Sequence, residues 1–240
     1  MRKYDVPNTN WSMFYETTNA LPKPLEDAVY SAIFGYLFEV SQNILPNLVN
    51  ENLAIVFAPF IECPISFPDK NLLFIHKQEL DDTSQTIFQL GHELLHTYYK
   101  SDLTTPMFWF EEVLCEVSSH LFLRTFANRW SKSSNLLIQG FTEFTLEYSD
   151  ARLHEGKPVN LKSLPLNYLQ ANPTGDRDTN TYIASIILPI FENNPYFLAE
   201  CRRLSTIYTE TDLRDFFDKS YGLISSAYHS ELRELESLFI

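Results

Sequence analysis

The stretch FQLGHELLHTYY (88–99) places His92 and His96 four residues apart, with Glu93 beside the first. The whole chain has six histidines, so two on one turn of an apolar segment call for a reason. In an α-helix, residues four apart differ by about 40° around the axis and project from nearly the same side. Two imidazoles held that way are suitable nitrogen ligands for one Zn2+. Glu93 sits about 100° further round, too far to be a third ligand but well placed to take a proton from water. The plainer alternative is a pair of partly buried histidines donating to backbone carbonyls. Against it, Ile87, Leu90, Leu94, Leu95 and Tyr98 give the segment an apolar setting. Apolar walls exclude water and strengthen electrostatics at a metal.

Zinc needs a third protein ligand, and a catalytic zinc leaves its fourth position to water. The next helical segment, PMFWFEEVLCEVSSHLFL (106–123), offers Glu111, Glu112 and Glu116. Glu112, Glu116 and His120 share one stripe at i, i+4, i+8, among Val113, Leu114, Val117 and Leu121 that predict a packed helix. Carboxylates are rarely buried unless paired or metal-bound, which makes Glu112 and Glu116 ligand candidates. Glu111 reads instead as a solvated acid at a helix N-terminus, where negative charge is favoured.

Working outward, apolar spacing predicts a helix from Pro24 to about Leu45, ended by Pro46. LAIVFAP (53–59) and NLLFIHK (71–77) read as strands, and the proline-rich stretch between them (59–69) as a loop. The histidine helix is expected from Thr83 to Lys100, and the next from a Thr105 cap with Pro106 at its first position to about Asn128. A third long helix is expected over 132–150 and mostly loop over 155–180. Helices follow near 181–192, 195–208, 211–220 and 223–238. The first twenty residues read as a polar and aromatic arm. The fold class is therefore α+β, mainly helical, with a small N-terminal sheet preceding the histidine helix. The chain divides into an α/β part (1–128) and a helical part (129–240) of one compact unit.

The formal net charge of −13 disfavours nucleic acid and anionic membrane surfaces as partners. The opening MRKYDVPNTN lacks the apolar run of a secretory signal, and no stretch reaches the ~18 consecutive apolar residues of a membrane span. Cys63, Cys115 and Cys201 are too widely spaced for a disulfide framework or a metal knuckle and read as reduced core residues. These features point to a cytoplasmic protein. His76, His154 and His229 have no ligand-like spacing. The 172–180 loop lacks the ligand order of a calcium loop.

GHELLH followed by P-x-x-W-F-E-E-V-L-C-E resembles the gluzincin zinc metallopeptidases, in particular their aminopeptidase-like branch. The specific resemblance covers about 81–123, with a looser echo over 179–222. It implies a zincin-like metallopeptidase fold and hydrolysis of a peptide or protein substrate, with Zn2+ as cofactor and Glu93 as general base. It makes His92, His96 and Glu112 the metal ligands, because Glu112 stands three residues after Trp109. It gives Glu116 the role of steadying a ligand histidine. It also selects Tyr182, in TNTYIASIILPIFE (179–192), as the group stabilising the oxyanion. Val113 stands where the family usually has glycine, and the interval from His96 to Glu112 is short. Counted as in the thermolysin-like branch, Glu116 becomes the ligand and His120 its partner. No motif that anchors a substrate amino terminus is present. The rival expectation is a non-catalytic or regulatory metal-binding protein on a peptidase scaffold, with Cys115 or His120 closing a four-ligand site. A protease with a single regulatory partner is a further alternative.

Overall fold

The computed structural model describes residues 2–16, 31, 34–76, 83–174 and 176–240. Its elements are mainly helical, with one five-stranded sheet in the order β1-β2-β3-β5-β4. The strands are β1 (Arg2–Asp5), β2 (Trp11–Tyr15), β3 (Leu53–Phe57), β4 (Ile65–Phe67) and β5 (Leu72–Ile75). The two inner pairings, β2 with β3 and β3 with β5, are parallel, and both outer pairings are antiparallel. All five strands precede the histidine helix, as the sequence pattern predicts.

Side chains alternate across a strand, so a buried row runs across the sheet at every second register position. Met13 pairs with Ile55, and Ile55 with Leu73, and none of the three is exposed. The first segment is therefore a hairpin and not a polar arm. WSMFY alternates cleanly, with Trp11, Met13 and Tyr15 buried, and the Trp11 indole N–H donates to the Leu48 carbonyl at 3.2 Å. The turn between the hairpin strands uses Asn8 at φ 62, a left-handed conformation that asparagine tolerates. A second difference is β4, inside the stretch expected to be loop. Pro64 and Pro68 bracket its three residues, and an edge strand accommodates proline because one side has no hydrogen-bonded neighbour.

The helices are α1 (Leu37–Ile44), α2 (Thr83–Tyr99), α3 (Phe108–Trp130), α4 (Leu136–His154), α5 (Leu166–Ala171), α6 (Arg177–Asn193), α7 (Pro195–Glu200), α8 (Leu213–Leu223) and α9 (His229–Phe239). The expected helix start at Pro24 and the cap residues 81–82 lie outside the described residues. Lys100, at φ 58, ends α2. Thr105 and Pro106 form a turn before α3, where the Phe108 amide donates to the Thr105 carbonyl at 3.0 Å. The third long helix begins and ends about one turn later than the apolar pattern suggests. Asn135, which accepts from the Leu137 amide at 3.0 Å, starts it. The 155–180 stretch contains α5 and the first turn of α6, because the Asp176 side chain caps α6 by accepting from the Thr179 amide.

Backbone packing divides the chain into two units. One is Met1–Tyr98 with Ser119–Ser149, and the other is Tyr99–Ser118 with Asp150–Ile240. In the first, Phe126 meets Trp130 and Trp130 meets Phe141, with ring centroids at 5.4 and 5.8 Å. In the second, Phe110 meets Phe216 and Phe239 at 5.5 and 6.1 Å. No helix among the described residues is long and apolar enough to cross a membrane.

Ile55 has a buried strand partner on each side. Ile55→Ala is expected to cost about 2–5 kcal/mol, the range for a large-to-small core truncation. Urea unfolding measures it, and a loss below about 1 kcal/mol would mean that the Met13–Ile55–Leu73 row is not a core row.

Candidate metal centre

The histidine pair lies mid-helix on α2, and its two rings stand edge to face with centroids 5.1 Å apart. His92 is half-buried and His96 buried. The backbone between them is reinforced where the Thr97 hydroxyl donates to the Glu93 carbonyl at 2.9 Å. Glu93 itself is 4% exposed. One turn before it, the side-chain oxygen of Gln89 is buried and has no hydrogen-bond partner. A buried acceptor left unmatched costs about 1–3 kcal/mol, so Gln89 is an unusual residue to find here.

The imidazole nitrogens of His92 and His96, both on α2, lie within 4.8 Å of each other. Two neutral imidazoles are nitrogen donors that zinc accepts. Ligand atoms about 2.0–2.3 Å from a tetrahedral ion stand roughly 3.3–3.8 Å apart, within an ångström or so of rotation from this arrangement. The residues present therefore fit a divalent ion. Cys115, on α3, is fully buried. Its burial matches the core position that the sequence reading gives it. Cys201 is buried too, whereas Cys63 is only half-buried and is not a core residue. It lies in the loop before β4, an edge strand whose Ile65 and Phe67 are themselves exposed.

The carboxylates of α3 occupy three different settings. Glu112 is half-buried. Glu116 is 7% exposed and accepts from the Thr181 hydroxyl at 3.0 Å. Glu111, expected to be solvated, is 1% exposed. The reason is that α3 is apolar around most of its circumference, with Val113, Leu114, Cys115 and Val117 all fully buried, so even its first turn is enclosed. Burial pushes the Tyr208 phenol well above its ordinary range, and the nearby Glu111 carboxylate adds to the shift. Tyr99 is raised chiefly by burial as well, and its hydroxyl donates to the Leu198 carbonyl at 2.6 Å.

His120 is fully buried. Its Nδ1 is 2.9 Å from the Ser149 hydroxyl, and its ring meets Phe88 at 5.5 Å. The remaining histidines each have a backbone carbonyl beside a ring nitrogen: Ile61 for His76, Asp150 for His154 and Ile224 for His229.

Tyr182 is half-buried and lies in the second turn of α6, not at the helix start. The Asp176 cap moves that start to Arg177. The loop after α4 runs close against this turn, and the Lys157 amide donates to the Asp178 carbonyl at 3.0 Å. A Cβ on Gly156 would lie 2.6 Å from the Tyr182 nitrogen and 2.7 Å from its Cα. Only glycine lets the loop pass Tyr182 that closely, a requirement with no signature in the local sequence.

No family model, no curated protein and no solved structure matches this chain.

If the two α2 imidazoles bind the ion together, removing either should weaken zinc or cobalt binding by at least about tenfold, since one ligand of a small set is lost. Competition titration of His92→Ala and His96→Ala against a chelating dye measures this. Affinity unchanged in both variants would exclude them as ligands.

Proposed function

We propose that the protein is a zinc-dependent hydrolase, a peptidase with a zincin-like arrangement of a small sheet, a histidine helix and a following glutamate helix. The observation that carries the reading is the pair of imidazoles, 5.1 Å apart on one side of α2, with Glu93 buried between them in sequence. His92, His96 and Glu112 would hold the ion. Glu112 is the α3 carboxylate that the gluzincin resemblance selects, and Glu116 supports from its bond to Thr181. Zinc, when bound, supplies Lewis acidity and brings the pKa of water down to about 7.

The chain's own groups do the rest. Glu93 accepts the proton of the attacking water and returns it to the departing amine nitrogen. Near-complete burial keeps competing water from its carboxylate. The Tyr182 phenol donates a hydrogen bond to the scissile carbonyl oxygen as negative charge develops there. The substrate in this reading is a peptide or protein. The net charge of −13 favours basic segments and disfavours nucleic acid and anionic membranes. Cytoplasmic residence belongs to the same proposal and rests on the wide spacing of Cys63, Cys115 and Cys201, which suits reduced thiols.

A second reading draws on the sulfur of Cys115, a soft donor fully buried on α3. With Glu112 it would complete four ligands and leave no position for water, giving a non-catalytic or regulatory metal-binding protein. Cobalt-substituted protein separates the two. Thiolate-to-metal charge-transfer absorption, lost in Cys115→Ser, supports the closed site, and its absence supports the hydrolase.

Glu93→Gln should retain the metal and lose turnover by roughly 10²–10⁴-fold, the scale of a general base. Glu112→Ala should lose zinc, and Glu116→Ala should retain most of it. Peptide-cleavage assays paired with metal content by mass spectrometry read all three variants, and full turnover in Glu93→Gln would reject the mechanism.

A further inference from the structure

An ordinary surface helix turns its large apolar side chains inward and its polar ones outward. Between Leu136 and Ser149, α4 does the reverse. Its buried residues there are Ile138, Thr145 and Ser149. Thr145 and Ser149 are occupied by hydroxyl and imidazole partners, Ser84 at 3.1 Å and His120 at 2.9 Å. Leu136, Leu137 and Phe144 are 80%, 60% and 68% exposed. Leu137, Phe141, Phe144 and Tyr148 follow i, i+4, i+7, i+11, the spacing of a seam that receives a second helix. Phe141 and Tyr148 are half-buried, against Trp130 and Phe88 respectively, so this seam is anchored at two rungs and open at the others.

Charge decides what can fill the seam. Glu143 and Glu147 are exposed on its solvent side, about 90–130° round the axis from its centre. The segment LLIQGFTEFTLEYS (136–149) contains no Lys, Arg or His. Gly140 lies between the seam and these carboxylates, and a side chain placed there would meet nothing within 4 Å. The dent it leaves lets a long cationic side chain reach across from the seam to Glu143 and Glu147. A second copy of the chain would bring four such carboxylates together, on a body already at −13. An anionic lipid surface is repelled for the same reason.

We propose that the outward face of α4 is a docking site for a basic amphipathic helix of a partner protein. Such a helix would seat apolar residues on Leu137 and Phe144 and aim lysine or arginine at Glu143 and Glu147. The proposal is independent of the metal centre.

The test uses the full chain and two synthetic helical peptides. Both carry leucine at the i, i+4, i+7, i+11 positions; one is flanked by lysine and the other by glutamate. By fluorescence anisotropy, the lysine peptide should bind at least tenfold more tightly than the glutamate peptide. The paired variant Leu137→Ser with Phe144→Ser leaves the charge unchanged and should weaken that binding tenfold or more. Glu143→Gln with Glu147→Gln should cut the preference between peptides to under threefold. Circular dichroism and melting temperature verify folding, which substitutions at exposed positions should leave intact. Equal binding of both peptides, no binding of either, or binding indifferent to the serine pair overturns the proposal. So does a dimer in sedimentation velocity that the serine pair dissolves, because the occupant would then be a second copy.

Discussion

Residues four apart on a helix return to nearly the same side of its axis, and the candidate centre depends on α2 keeping that period unbroken from Thr83 to Tyr99. If the helix broke between His92 and His96, the imidazoles would diverge and no other pair of histidines in the chain could replace them. Continuity has a local basis. Leu90, Leu94 and Leu95 are fully buried, and Thr97 bonds back to the carbonyl of Glu93. The same period that satisfies the core with leucines delivers the imidazoles, so packing and chemistry impose one condition on one segment.

The second helix shows what happens when apolar demand exceeds one face. α3 is buried nearly all round, which draws Glu111, Glu116 and His120 inside along with its apolar residues. Each buried polar group then has to be accommodated locally, as Glu116 is by Thr181 and His120 by Ser149. A polar residue on such a helix is buried whatever its role, so burial alone does not distinguish a ligand from a structural acid. Proximity of donor atoms is the sharper criterion, and the His92 and His96 nitrogens meet it on α2. α4 is the opposite case, with apolar surplus left on the outside.

Much of the architecture was legible in the residues themselves. Short continuous apolar runs in LAIVF and LLFI mark two strands, and the helical period around GHELLH marks α2. The hairpin of β1 and β2 was hidden because β1 is mostly charged, its turn has no glycine, and the apolar Phe14 on the outward side of WSMFY blurs the alternation. β4 was hidden by prolines that usually signal a loop. The helix that carries Tyr182 starts earlier than its apolar pattern predicts, because Asp176, in a stretch expected to be loop, is its cap.

The amino-acid order alone determined the helix that carries His92, Glu93 and His96, because spacing along a helix is a local property. It also determined that the sheet precedes this helix. Only the tertiary structure decided that Glu111 is enclosed, that Gly156 must pass Tyr182 without a side chain, and that α4 turns Leu137 and Phe144 outward. Each of these depends on which residues distant in the chain become neighbours. Local periodicity carries no record of that choice.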